Sequence, residues 1–387
     1  MPLYEIYDME RLDSNRLVMT GMYSRMVSEK AYETCNVLCI LDKNGRVTEH
    51  RELKDLPPNT FLSGLAVSED RIFLAGKIMD AGNPLLFTAM YDHELRLLWS
   101  ERDRSDAIAT HVLHEGNDCF TVSGVLPGKM TLLRYDMKNG TVLAAGFRDS
   151  SASIFSDNRI SELLVTQTGD YAAAVTYSTK EKTGFGVLSA DSTGQQRWLR
   201  MYGAEEGEAL CLAAGGPDLV VAGTYDIRRR NGMLLSIDAR GNTHWETHFG
   251  GLAYVPHRVK DKSPGSEFRK YWGREMAIRP CDLAILPSGE IQLLGYRTFY
   301  TNPGQDDFTS QTSQAVLLTF SRDGQLLRSY AYTAVPGLLP VKMIQTGTSS
   351  FLIAANSVGL PGKSCLLSVD METMQGWEAF TMHTTPY

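Results

Sequence analysis

The stretch His244-Trp245-Glu246-Thr247-His248 has the residue types and spacing of a zinc hydrolase. On a helix, histidines four residues apart share a face, as in a zinc hydrolase. The neighbouring residues argue for a different element. His244, Glu246 and His248 alternate with Trp245, Thr247 and Phe249. That period of two predicts a strand with a polar side and a largely apolar one. In a strand the two histidines stand about 13 Å apart, at roughly 3.3 Å per residue. They cannot share a zinc whose ligand bonds are only about 2 Å long, so no metal is expected here.

Other motifs fail on context. "SVGLPGKS", Ser357 to Ser364, approaches a phosphate-binding loop, but Ser357 stands where the first glycine belongs. An apolar strand pattern follows it, where phosphate binding needs a helix N-terminus. "LPGK" also occurs at Leu126 to Lys129, so it reads as a repeated turn. His111 and His114 are three apart in a strand pattern, which points them to opposite faces. Asp306 and Asp307 are adjacent, whereas a calcium loop alternates its acids. No nucleophile elbow or dinucleotide fingerprint sits between a strand and a helix.

The opening stretch is one copy of a repeat. "NGMLLSIDARGNTHWETHFGG", from Asn231, matches "GFGVLSADSTGQQRWLRMYG", from Gly184: a small apolar run, Ser-x-Asp, a turn with Gly, then Trp and a closing Gly. Looser copies start at Asn36, Leu85, Met130, Ser313 and Lys363. Their turn residues are Asp42, Asp92, Asp136, Asp191, Asp238, Ser321 and Asp370, spaced 50, 44, 55, 47, 83 and 49 residues apart. Each copy is preceded by two more apolar strands joined by a tight polar turn, as in "LSGLAVSEDRIFLAG" and "CDLAILPSGEIQLLG". Four short strands at a period near 50 residues predict an all-β, seven-bladed β-propeller with four antiparallel strands per blade, read as one domain over 1–387. The first unit starts on an inner strand at Tyr4 and the last ends on an outer strand after Trp377, so the chain termini are not expected to share a blade.

The repeat resembles the quinoprotein-like propeller unit of PQQ-type enzymes, in which a turn glycine precedes a strand tryptophan. Gly194 to Trp198 and Gly241 to Trp245 carry the likeness, with Trp99 and Trp377 similarly placed. The resemblance implies the fold. Such enzymes also carry adjacent cysteines, which are absent here, so no cofactor is expected. Ser236, Asp238 and Trp245 resemble a sialidase Asp box, but Gly241 and Trp245 come one and two residues late. The Gly-His and Trp-Asp pairs of WD repeats are missing.

Of 387 residues, 43% are hydrophobic and 21% charged, with net charge −7. That is a soluble globular composition. No apolar run approaches the ~20 residues of a membrane helix, so no membrane insertion is expected. The strand-like, acidic N-terminus does not read as a signal peptide. A cytoplasmic location is expected, or an exported one if a signal was removed before numbering. The six cysteines fall singly in strand patterns, as small buried thiols suited to a reducing compartment.

On one face of such a propeller the A–B and C–D turns are short. The other face, with the B–C and D–A connections, carries "SRMVSEKAYET", "STKEKTG", "DIRRRN" and "FYTNPGQDDFTSQTS". The 83-residue step marks an insertion of roughly 30 residues there, Gly251 to Arg279, between the fifth and sixth blades. It is basic and aromatic in an acidic protein: His257, Arg258, Lys260, Lys262, Arg269, Lys270 and Arg274, with Tyr254, Phe268, Tyr271 and Trp272. Arg228, Arg229 and Arg230 belong to the same blade and face. Arginine with tyrosine and tryptophan is the composition of interface hot spots. These residues are the candidate site for a protein partner with an acidic surface, within a larger assembly. The net charge argues against nucleic acid. The bland alternative is an excursion that caps its own blade. The functional alternative is an enzyme or small-ligand propeller with an axial site on the same face, built from single residues of different blades.

Overall fold

A computed structural model describes residues 5–28, 31–102, 108–116, 119–126, 129–138, 140, 142–146, 159–178, 183–203, 207–225, 231–250, 254–257, 271–274, 278–300, 311–335, 337–357, 364–379 and 384–386. All regular structure among them is β, and it forms the expected seven-bladed propeller of antiparallel blades. The inner strands are Glu5–Arg11, Thr60–Val67, Ile108–Gly116, Arg159–Val165, Gly207–Gly215, Arg279–Ile285 and Leu338–Gln345. From each inner strand the sheet runs outward in chain order.

The ring closes by packing. Seven apolar clusters each join two neighbouring blades, including one that brings Ile6, Met9 and Leu17 of the first blade against Ile344, Leu352 and Ala354 of the last. Burying both faces of every blade in this way removes the open ends of a linear stack. At the closing seam, the Asn356 side chain accepts from the Ile6 amide at 2.7 Å and donates to its carbonyl at 2.9 Å. The first blade consists of its own four strands only, so the N- and C-terminal strands do not share a blade.

The repeated Asp, Gly and Trp have distinct physical roles. Asp238 Oδ1 accepts from the amides of Arg240 and Asn242, both at 2.8 Å, and so folds its own turn. Asp42, Asp92 and Asp191 bond their turns in the same way. At three of the turns the glycine has positive φ, as at Gly241 (φ +78), and lies under an aromatic ring of the preceding blade. Trp198 covers Gly241, Trp99 covers Gly140 and Trp245 covers Gly324. Trp99 Nε1 donates to the Met137 carbonyl at 3.1 Å, and Trp198 Nε1 to the Ala239 carbonyl at 3.3 Å. The repeat is therefore a fastener between blades.

Two features differ from the sequence reading. "SRMVSEKAYET" was expected to be a loop, but it extends the strands Arg16–Ser28 and Ala31–Asp42 into a long hairpin. The paired backbone amides of a hairpin make this arrangement stable where a free loop would leave them to water. Trp377 was expected on the outer edge of the last blade. Instead Trp377–Ala379 pairs with Leu326–Tyr332 on the outer edge of the sixth blade, and Thr384–Pro386 pairs with Thr243–Phe249 on the fifth. The seventh sheet therefore holds three strands among the described residues. An outer edge presents unpaired backbone groups whichever blade owns it, which is why the segment can seat on a neighbour.

Candidate functional site

The histidines of the opening motif lie on the strand Thr243–Phe249, as their alternation predicts. They meet different carboxylates: His244 Nε2 is 3.2 Å from Asp218, and His248 Nε2 is 2.6 Å from Glu246. His248 is buried and packs on the Tyr225 ring at 4.3 Å. Each histidine thus has its own carboxylate. His111 and His114 likewise separate, His114 packing on Phe120 while His111 bonds the Leu163 main chain. "SVGLPGKS" connects the strands Ser350–Ser357 and Cys365–Asp370, so no helix follows it.

The titratable groups that do converge lie on the inner strands. Every inner strand carries a bulge at the same place, seen as a register shift against the second strand, and Ile108–Gly116 has a second one near its end. The residues just after the bulges are Asp8, Gly64, His111, Glu162, Cys211, Asp282 and Lys342, in blade order. A bulge disrupts the ladder and leaves backbone groups in need of partners. The axial acids supply them. Asp8 Oδ2 accepts from the Leu65 amide of the next blade at 3.0 Å. Glu162 Oε2 accepts from Leu212 at 2.7 Å, and Asp282 Oδ2 from Met343 at 2.7 Å, again one blade on. Where the preceding blade offers Lys342 or Cys211 instead of an acid, the amide turns to its own blade. Met9 donates to Asp8 Oδ1 at 2.8 Å and Leu283 to Asp282 Oδ1 at 2.9 Å.

Lys342 balances the charge. Its Nζ lies 3.8 Å from Glu10, 3.7 Å from Glu162 and 3.8 Å from Asp282, which come from three different blades. Burial raises the pKa of Glu10 and of Glu162 to about 7, with the Lys342 ammonium opposing the shift. Asp8 is raised for the same reasons. Four surrounding carboxyl groups hold Lys342 well above its ordinary value, against burial. Burial, aided by Lys342, lowers His111 to about 3, so its ring is neutral. Solvent reaches the axis, since the Glu10 side chain keeps 37% of its exposure and Lys342 19%.

A second buried network joins the third and fourth blades. Glu115 accepts from Thr121 and Tyr171 and pairs with Arg134 Nε at 2.8 Å. At the axial mouth on the long-loop face, Glu208 bridges Arg159 and Arg279, each at 3.0 Å.

Within the insertion, Tyr254–His257 and Tyr271–Arg274 form an antiparallel hairpin, with Tyr254 opposite Arg274 and Pro256 opposite Trp272. This brings Tyr254, His257, Tyr271, Trp272 and Arg274 together on one small sheet beside the strand Ile291–Tyr300. Arg228, Arg229, Arg230, Arg258, Lys260, Lys262, Phe268, Arg269 and Lys270 lie outside the described residues.

The axial group escaped the sequence reading, although a signal was present. The inner strands "DMER", "GLAV", "HVLH", "ELLV", "CLAA", "DLAI" and "KMIQ" each open on the residue after the bulge. Four of those seven residues are acids or a lysine, at one equivalent position of successive strands.

No protein-family model matches the chain, and no curated protein matches it. Solved structures of similar shape are propellers. U3-55K aligns with TM-score 0.57 and 9% identity, over 94% of this chain and 95% of that one. The WD40 repeats of RRP9 align with TM-score 0.53 and 8% identity, over 96% and 92%. Virginiamycin B lyase from Staphylococcus aureus aligns with TM-score 0.54 and 10% identity, over 91% and 92%. At such identities the likeness shows the fold, and that fold serves WD40-type propellers and a lyase alike. Among the described residues no helix is long and apolar enough to cross a membrane.

Proposed function

We propose that the protein is a non-catalytic propeller scaffold that binds a protein partner through its long-loop face, as part of a larger assembly. The observation that carries this reading is the use made of the axial acids. Asp8, Glu162 and Asp282 bond bulge amides of adjacent blades, and Lys342 lies among the carboxylates. Catalysis needs acid and base groups left available to a substrate. The insertion 251–279, in contrast, contributes a hairpin with Tyr254, Trp272 and Arg274 outside the blade sheets. With Arg228 to Arg230, Arg258, Lys260, Lys262, Arg269 and Lys270, its chemistry suits an acidic protein surface. The WD40 propellers of similar shape are consistent with such a role. One observation favours a second reading, an axial enzyme or small-ligand site: Glu10 and Glu162 ionise near neutrality beside a lysine, where solvent reaches the axis.

Replacing Arg269, Lys270 and Arg274 together by Ala tests the scaffold reading. Surface substitutions move stability by only about 0.5 kcal/mol, so the melting curve should hardly change. Capture of an acidic partner should weaken, and the remaining binding should respond less to salt. Unchanged capture with unchanged salt response would remove the basic insertion from the interface.

A further inference from the structure

We propose that the outer edge of the seventh blade is a second seat for the chain's own strand Trp377–Ala379, so that this strand exchanges between the sixth and seventh blades. The repeat register makes the case first. In the second, fourth and fifth blades a tryptophan follows the turn aspartate by seven residues: Asp92 and Trp99, Asp191 and Trp198, Asp238 and Trp245. Each pairs with the residue two before that aspartate, namely Met90, Ser189 and Ser236. Asp370 and Trp377 have the same spacing. The rule places Trp377 opposite Ser368, on the edge of its own blade.

That edge is vacant among the described residues. Ser368 and Asp370 are exposed, whereas Gly184–Ala190 of the corresponding fourth-blade strand is buried throughout. The side chain supplies an independent observation. Trp99 and Trp198 donate their indole N–H to the residue after the next blade's turn aspartate. Trp377 Nε1 is buried where it now sits and has no acceptor among the described residues. A buried donor without a partner destabilises the seat that leaves it so. In the second seat the corresponding acceptor is the carbonyl of Lys43, which follows Asp42 in the first blade. The turn glycine there also lacks its aromatic cover: the nearest atoms to a Cβ on Gly45 belong to Leu352 and Leu366, not to a ring.

The present seat has contacts of its own. The Trp377 ring lies 5.3 Å from that of Tyr332, and Thr333 donates to the Gly376 carbonyl at 3.2 Å. The exchange therefore sets two partly satisfied arrangements against each other. In one, the sixth blade has a fifth strand and the seventh is one short. In the other, the seventh blade is complete, the seam to the first blade gains its tryptophan fastener, and the edge Leu326–Tyr332 is uncovered.

Amide hydrogen exchange on the full-length protein tests this, comparing the native chain with Trp377→Ala and Tyr332→Ala. If the second seat is used, Trp377→Ala should speed exchange in Cys365–Asp370 by about tenfold, since edge pairing is what protects those amides. Tyr332→Ala weakens the present seat, so it should slow Cys365–Asp370 and speed Leu326–Tyr332. Identical exchange of Cys365–Asp370 in the native chain and Trp377→Ala overturns the proposal, and this comparison suffices if Tyr332→Ala fails to fold. Protection of Cys365–Asp370 that grows with protein concentration also overturns it, because the strand then comes from a second copy.

Discussion

The axis and the long-loop face are both polar, but their polar groups answer to different demands. At the axis, Asp8, Glu162 and Asp282 bond amides that the bulges left without ladder partners, and Lys342 offsets their charge. In the insertion, Tyr254, His257, Trp272 and Arg274 sit on a separate hairpin that belongs to no blade. Polarity alone does not mark a binding site. At the axis the acids have backbone partners within the fold, whereas the insertion places its hairpin outside the blade sheets.

The largest expected effect falls on the axis. Lys342→Met leaves the carboxylates without their cation, and removing one partner of a buried ion cluster costs about 3–5 kcal/mol. The loss should be greater at pH 8 than at pH 5, because acids titrating near 7 are mostly protonated at the lower pH. Thermal melts at the two pH values measure it. Equal small losses at both would mean that the axis does not depend on this charge.

Next in size is Gly324→Ala, between blades. A Cβ there meets Trp245 Cε3 at 2.5 Å, on a backbone with φ +77. A clash together with positive φ should lower stability by roughly 2 kcal/mol, within the range for overpacking. A neutral result would show that the glycine–aromatic fastener is dispensable.

A smaller effect sharpens the electrostatic part. The folded pKa of Glu10 lies near 7, above its ordinary 4.5. The folded chain therefore binds the extra proton between those values. The stability tied to this group is complete below about 4.5 and is lost as pH rises through 7. Glu10→Gln removes that decline. Its melting temperature relative to the native chain should rise between pH 5 and pH 8. A relative fall over the same window would contradict the assigned shift.

The sequence exposes the ring far better than the axis, for a physical reason. The fasteners recur with the same chemistry, most fully at Gly140, Gly241 and Gly324: Asp or Ser folds the turn, Gly admits the ring and Trp covers it. Seven units can therefore be counted from the turn residues Asp42 to Asp370. The axis uses one position per blade but six residue types over the seven blades, from Asp8 to Lys342, because the groups must complement one another across the channel. A search for recurring identity passes over them. The strand Trp377–Ala379 shows another limit. Its pattern places it on the edge of its own blade, but adjacent edges offer the same ladder groups, and it pairs with the sixth blade. In the insertion, the basic-aromatic composition identifies an excursion, and the pairing of Tyr254 with Arg274 emerges only from the fold.

Trp272→Ala tests the contrast most directly, through thermal melting and partner capture measured on the same preparation. If the insertion serves a partner, capture per folded molecule should weaken by roughly 2 kcal/mol, as for an interface anchor, while the melting temperature stays near that of the native chain. If the insertion instead caps its own blade, truncating a buried aromatic should lower stability by some 3–5 kcal/mol. A lowered melt with normal capture by the folded fraction would contradict the account.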